Sequence, residues 1–196
     1  MKKTLVAFSG GQDSTTCLAY ALKHFDAVSA LTFDYGQRHK IEIEQAKKIT
    51  ALLKIPHEVM TIDIFSKLSK NALTDTGVEI TAGGAGVLPS TFVPGRNLIF
   101  LSLAAIKAYQ LGITDLIAGV CQTDYSGYPD CRNSFIKSLE RSVSLALNKE
   151  FRIHTPLMWL TKAQTVKLIQ ELGYLELLRD SHTCYQGLRP ACGACP

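Results

Sequence analysis

Thr4-Leu5-Val6-Ala7-Phe8-Ser9-Gly10-Gly11-Gln12-Asp13-Ser14-Thr15 is the stretch whose reading decides the fold. A short apolar run, long enough for a buried strand, meets two glycines that end it. Residues 13–25 then place Cys17, Leu18, Ala21, Leu22 and Phe25 on one helical face. Strand, glycine turn and helix in that order open a β-α unit. In an open parallel sheet, ligands sit beyond the carboxyl ends of the strands, which is where this turn falls.

The pattern continues downstream. Ala27 to Phe33 is a second strand-like run, Ile41 to Leu53 has near-helical apolar spacing, and His57 to Ile62 alternates as a third strand. The resulting β-α-β-α-β order predicts an α/β fold, a parallel sheet flanked by crossover helices. Residues 71–95 lack periodicity and carry Gly77, Gly83, Gly84, Gly86, Pro89, Pro94 and Gly95. A loop that long is expected to be functional, for instance a lid that excludes water, or else a disordered connector. Asn97 to Leu111 is apolar nearly all round, which suits a buried helix or a subunit interface. Asp115 to Val120 reads as a fourth strand, followed by a polar loop over 121–132. Phe135, Ile136, Leu139, Val143, Ala146 and Leu147 mark an amphipathic helix, and Phe151 to His154 a short strand. Thr161 is a plausible N-cap for a helix running to Leu172, with Gly173 as its stop.

The chain has 196 residues, enough for one substantial domain. Its 46% hydrophobic and 19% charged residues, with mean hydropathy +0.10, exclude wholesale disorder. The net charge of +4 is spread along the chain and permits an anionic ligand without indicating a nucleic-acid partner. No apolar run reaches the roughly 18–20 residues that span a bilayer. The Met1-Lys2-Lys3 start has no signal-peptide core, so a cytoplasmic protein is expected.

Ser9 to Thr15 has the chemistry of a phosphate cradle. Gly10 and Gly11 permit close backbone approach, and a helix N-terminus supplies N–H groups and partial positive charge. Ser9, Ser14 and Thr15 add hydroxyls. Asp13 makes sense if a divalent cation bridges it to phosphate, or if it caps the helix. Neither G-K-[ST] nor G-x-G-x-x-G is present, and the loop supplies no lysine for phosphates. The plainer reading is a glycine turn with a capped helix, which the whole string after a strand makes the weaker one.

Ser9-Gly10-Gly11-Gln12-Asp13-Ser14 resembles the pyrophosphate loop of the PP-loop ATP pyrophosphatase superfamily. Four further segments narrow the resemblance: Phe33-Asp34-Tyr35-Gly36-Gln37-Arg38-His39, Phe92-Val93-Pro94-Gly95-Arg96-Asn97, Gly119 to Arg132, and Ser181-His182-Thr183-Cys184-Tyr185. With the loop, they are similar to the 7-cyano-7-deazaguanine synthase family of queuosine biosynthesis, from the first strand to the last residue. The resemblance implies an enzyme that uses ATP and Mg2+ to activate the carboxylate of 7-carboxy-7-deazaguanine. Ammonia then gives the amide, and a second activation gives the nitrile. It implies ATP contacts along Phe8, Ser9, Gly10, Gly11, Gln12, Asp13, Ser14, Thr15, Thr16, Cys17 and Leu18. Asp13 and Arg96 are the expected catalytic residues. Arg96 suits a phosphate or carboxylate through paired hydrogen bonds. Tyr35, Gln37, Asn97, Asp124, Tyr125 and Asp130 are the expected substrate contacts, although each could equally be a turn or cap residue. A homodimer is implied as well.

Cys192-Gly193-Ala194-Cys195 is C-x-x-C, with Cys184 upstream. Such spacing suits a zinc site, and redox or sulfur-carrier chemistry is the alternative. The family pattern has a fourth cysteine one further C-x-x-C step on, past Pro196. Three ligands therefore match: either the sequence stops short of the natural C-terminus, or Cys17, Cys121, Cys131, His182 or water completes the set. The expected organisation is an adenylating domain over 1–175 and a cysteine-bearing appendage over 176–196. Two rivals are a PP-loop enzyme that thiolates tRNA and a non-catalytic adenine-nucleotide sensor. The first lacks a basic block for RNA. The second would not need Arg96, the long loop or the metal tail.

Overall fold

A computed structural model describes residues 1–38, 40–68, 71–75, 77–79, 81, 88–123, 127–184 and 186–193, with Ser66 by its backbone alone. Five strands form one sheet: β1 (Lys3–Ala7), β2 (Ala27–Asp34), β3 (His57–Thr61), β4 (Asp115–Ala118) and β5 (Arg152–His154). Their order is β3-β2-β1-β4-β5, and each of the four pairings is parallel. Among the described residues, six α-helices accompany them: α1 (Gln12–His24), α2 (Ile41–Leu52), the single turn α3 (Phe65–Leu68), α4 (Arg96–Gln110), α5 (Asn133–Ala146) and α6 (Lys162–Glu171).

Strand alternation sorts the core into two layers. Leu5, Leu31, Phe33 and Leu116 face α4 and α5, packing on Leu101, Ala104, Ala105, Ala108, Ile136 and Leu139. Val6, Phe8, Ala30 and Ile117 face the other way, onto Cys17, Leu18 and Ala21 of α1 and Ala46 and Ile49 of α2. A leucine buried like Leu5 of β1 would cost about 2–5 kcal/mol on truncation to alanine.

Three expectations need correction. The fourth strand ends at Ala118, because Gly119 and Val120 already leave the ladder toward α1. α4 is not buried all round. Leu101, Ala104, Ala105 and Ala108 face the core, while Leu98, Ile106 and Tyr109 are exposed. The 71–95 loop is partly stitched down: the Ala72 N–H bonds the Ser90 carbonyl at 2.9 Å, and Leu73 and Val93 pack with Phe65. Its positions 76, 80 and 82–87 lie outside the described residues. The helix expected after Thr161 is confirmed down to its cap. The Thr161 hydroxyl accepts the Gln164 N–H, and the Gln164 side chain accepts the Thr161 N–H.

Candidate active site

β1 has β2 on one side, reached directly through α1, and β4 on the other, reached only after β3 and α4. Ligands bind at such a reversal of strand order, beyond the carboxyl ends. A cleft of about 290 Å³ opens there, lined by Phe8 and Ser9 after β1, by Gly119 and Val120 after β4, and by residues such as Tyr35, Glu42, Leu73, Arg96, Tyr128 and Cys184 from elsewhere in the chain.

One rim is the expected phosphate loop, Ser9 to Ser14. The Ser9 N–H donates to Ser14 Oγ at 3.2 Å, the Gly11 N–H to Ser9 Oγ at 3.3 Å, and the Gln12 N–H to Thr183 Oγ1 at 3.1 Å. Ser14 Oγ and Thr15 Oγ1 lie 3.1 and 2.9 Å from the Gly11 carbonyl that they donate to. These hydroxyls preform the turn and leave N–H groups held by exchangeable acceptors, which phosphate oxygens can replace. Gly10 has φ +87°, and a Cβ there would lie 2.3 Å from the Glu42 carbonyl oxygen. Only glycine fits, because α2 passes directly behind it. Gly119 lets the end of β4 approach α1, since its Cβ would lie 3.2 Å from Ser14 N. Asp13 carries an ion pair from Oδ2 to Lys162 Nζ at 2.6 Å. Its Oδ1 is buried and has no hydrogen-bond partner among the described residues.

The opposite rim comes from distant segments. Gly95, at φ +71°, turns the chain into α4 so that Arg96 opens the helix. Arg96 lines the cleft, with its guanidinium 6.0 Å from the Tyr128 ring centroid. Tyr35 packs edge-on to Phe65 and hydrogen-bonds Arg96. Burial pushes the Tyr35 phenol up, and the Arg96 charge partly offsets that. Glu42, in the first turn of α2, also lines the cleft. Burial pushes its carboxyl up to about 7 against the pull of Arg96, and nearby Cys184 adds to the rise. Sequence reasoning missed Glu42. An acidic residue in a helix's first turn is ordinary, and its setting depends on groups far away in the chain.

The other expected substrate residues divide. The Gln37 side chain lines the cleft but is engaged by its own loop, accepting the Tyr35 N–H at 2.9 Å. Asn97 lines it too, and donates to the Asp130 carbonyl at 3.3 Å and toward Cys131 Sγ at 3.4 Å. Asp130 is buried and is not among the lining residues. Its Oδ2 accepts the Asn97 N–H at 3.0 Å, which closes the start of α4. Asp124 and Tyr125 lie outside the described residues. Of the expected ATP run, Phe8, Ser9, Gly11, Gln12, Asp13 and Ser14 line the cleft. Thr15, Thr16, Cys17 and Leu18 are fully buried along α1 and do not line it. Burial lifts the Cys17 thiol well above its ordinary value, as suits a core residue.

The expected 176–196 appendage runs across the mouth of the cleft as far as it is described. The His182 N–H bonds the Gly10 carbonyl at 3.0 Å, Lys48 pairs with Asp180, and Arg189 pairs with Glu44. Cys184 is buried, which raises its thiol. The N–H groups of Cys192, Leu188 and Gln186, with the Cys192 side chain, outweigh that and bring it down to about 6. Cys195 lies outside the described residues, and no group of three His, Cys, Asp or Glu among the described ones is placed to hold a metal.

The family model for "Queuosine biosynthesis protein QueC" matches residues 3–196. Among solved structures, a predicted subunit of tRNA methyltransferase from Methanocaldococcus jannaschii superposes with TM-score 0.54 at 21% identity, over 87% of this chain and 75% of that one. A 4-thiouridine synthetase in complex with RNA and ATP gives TM-score 0.59 at 19% identity, over 94% of this chain and 45% of that one. The U34-tRNA thiolase NcsA from Methanococcus maripaludis gives 0.52 at 17% identity, over 88% and 58%. This chain thus spans less than two thirds of the latter two. At such identities the likeness is one of fold alone.

Proposed function

The chain belongs to the QueC family of queuosine biosynthesis proteins, ATP-using enzymes, and on that premise we propose that it makes 7-cyano-7-deazaguanine from 7-carboxy-7-deazaguanine and ammonia. The observation that carries this reading is the meeting of the phosphate loop and Arg96 in one cleft at the reversal of strand order. The loop would grip ATP through its backbone N–H groups. Arg96 would hold the substrate carboxylate, or the adenylate made from it, by two parallel hydrogen bonds. Attack of the carboxylate oxygen on the α-phosphorus releases pyrophosphate, and ammonia then displaces AMP to give the amide. A second adenylation, on the amide oxygen, lets that oxygen leave on AMP while the nitrogen gives up both its protons, one as the adenylated imidate forms and one as the nitrile forms. The walls of Tyr35, Phe100 and Leu101 keep water from the adenylates.

Asp13 fits a divalent cation, because its Oδ1 is a buried acceptor with no partner among the described residues. Mg2+ there would supply charge neutralisation for the departing pyrophosphate. For the tail we propose zinc held by Cys184, Cys192 and Cys195. The lowered Cys184 thiol, cradled by backbone N–H groups, is what a thiolate ligand requires. Metal analysis should find about one zinc per chain, and chelation should loosen the tail over Gly10. A cytoplasmic homodimer belongs to the same reading. The exposed Leu98, Ile106 and Tyr109 on the outer face of α4 support the self-association.

Mass spectrometry after incubation with ATP, ammonium and 7-carboxy-7-deazaguanine tests the reaction, with the nitrile as the expected product. ATP binding without any product would favour a sensor. Sulfur transfer to tRNA from a sulfide donor would favour a thiolase.

A further inference from the structure

The phosphate loop begins where β1 ends, and β2 holds that exit. The Phe8 N–H donates to the Leu31 carbonyl at 2.9 Å, and the Phe8 carbonyl accepts from the Thr32 hydroxyl. Behind Thr32 stands His57, the first residue of the edge strand β3. Its Nε2 lies 2.7 Å from Thr32 Oγ1, and its Nδ1 lies 3.0 Å from Thr50 Oγ1 on α2. We propose that His57 is a positioning residue for the phosphate loop: it donates from Nε2 to the Thr32 hydroxyl and so fixes that hydroxyl on the Phe8 carbonyl. The proposal rests on the adenylating reading above.

Counting protons fixes the direction of this chain of bonds. The Phe8 carbonyl can only accept, so the single proton of the Thr32 hydroxyl is committed to it. Thr32 Oγ1 is then an acceptor toward His57, and the imidazole must carry a proton on Nε2. Burial, aided by the Lys47 charge, holds His57 below its ordinary value. The ring is therefore the neutral Nε2–H form, a tautomer assigned by its partners. Nδ1 accepts the Thr50 proton, which is shared with the Ala46 carbonyl, 2.8 Å from Thr50 Oγ1. Without the histidine, the Thr32 hydroxyl is free to turn its proton toward whatever fills the cleft.

A histidine satisfied by two hydroxyls on an edge strand is ordinarily a packing device. Two placements make this one bear on the site. Thr32 and Phe8 both line the cleft, so the bond between them is made in its wall. The other side of the ring reaches α2, whose backbone passes behind Gly10. A Cβ on Gly10 would lie 2.7 Å from the Ala46 nitrogen, and Ala46 is the residue whose carbonyl Thr50 bonds. His57 thus joins the strand exit that starts the loop to the helix that backs it. The Phe8 ring meets the imidazole edge-on at 6.3 Å, which helps to hold the plane of the ring. His57 itself does not line the cleft, and it acts through Thr32.

A double-mutant cycle on Thr32→Val and His57→Leu tests the proposal, read by calorimetric titration of ATP with Mg2+ and by KM for ATP and for ammonium. Each single variant should weaken ATP by roughly three- to tenfold, and the double variant should weaken it no further than Thr32→Val alone. KM for ammonium should stay near wild type. His57→Gln, whose amide keeps a donor near Nε2, should recover most of the ATP affinity. ATP binding equal to wild type in His57→Leu, an equal loss in His57→Gln, or losses that add in the double variant would overturn the assignment and leave His57 as a packing residue. Should the leucine variant not fold, Thr32→Val decides alone, since it keeps the shape of the side chain: unchanged ATP binding there overturns the proposal too. A wild type that binds no ATP would instead bring down the adenylating reading, and the positioning role with it.

Discussion

The two rims of the cleft are built in opposite ways. The phosphate-loop rim is a single run, Ser9 to Ser14, tied by bonds between near neighbours such as Ser9 with Ser14 and Gly11 with Ser9. The far rim gathers Tyr35, Glu42, Arg96, Tyr128 and Cys184 from five separate segments and holds them by charge and ring contact. The first rim is tied within itself by near neighbours, with Thr183, His182 and Lys162 reaching it from the end of the chain. The second is only as good as the packing of α2, α4 and the tail around it. Loss of one side chain should therefore act on chemistry alone at the first rim, and on chemistry and stability together at the second.

The largest effect should come from Asp13→Asn. Turnover should fall by about a thousandfold or more while circular dichroism and melting stay near wild type. Nitrile production near the wild-type rate would sink the role given to Asp13. Gly10→Ala breaks the contrast from within, since it lies on the local rim yet abuts the backbone of α2. Positive φ and the clash with the Glu42 carbonyl should cost roughly 2–4 kcal/mol in urea melts. A stable, active alanine variant would refute the interlock. Arg96→Lys keeps the charge and loses the fork, and should lower kcat/KM by about 10–100-fold.

Glu42 sharpens the comparison through pH. Its carboxyl stands at about 7 in the fold against an ordinary 4.5. Stability from this group is thus fully present below 4.5 and is lost as pH rises through about 7. Glu42→Gln, which mimics the protonated acid, should match wild type at pH 5 and exceed it at pH 8 by roughly 1–2 kcal/mol. Parallel melting curves across that range would contradict the burial argument. The smallest effect belongs to Asp130→Ala. It leaves the Asn97 N–H without its acceptor, and should cost about 1 kcal/mol with kcat reduced only as far as α4 loosens.

This contrast also explains what could be read from the residues. The strand–loop–helix opening needs only neighbours, so α1, the first three strands and the Thr161 cap were all legible. α4 was not, because a helix as apolar as Leu98 to Leu111 does not say which face turns inward. The single turn Phe65–Leu68 is too short for any period to show. Asp130 was expected as a substrate contact through the resemblance, with a turn or cap residue as the alternative. Its partner, the Asn97 N–H, lies 33 positions upstream and only the fold brings the two together. Glu42 acquires its character from Arg96 and Cys184, which no local pattern connects to it.

The bonds from His182 and Thr183 to Gly10 and Gln12 set an order in time. A ribosome builds the phosphate loop first and the residues that close over it 171 positions later. At about 5–20 residues per second, the loop waits roughly 10–30 s for its last partners. Through that interval the nascent domain carries its sheet-leading strand and turn without the contacts that His182 and Thr183 later make to Gly10 and Gln12.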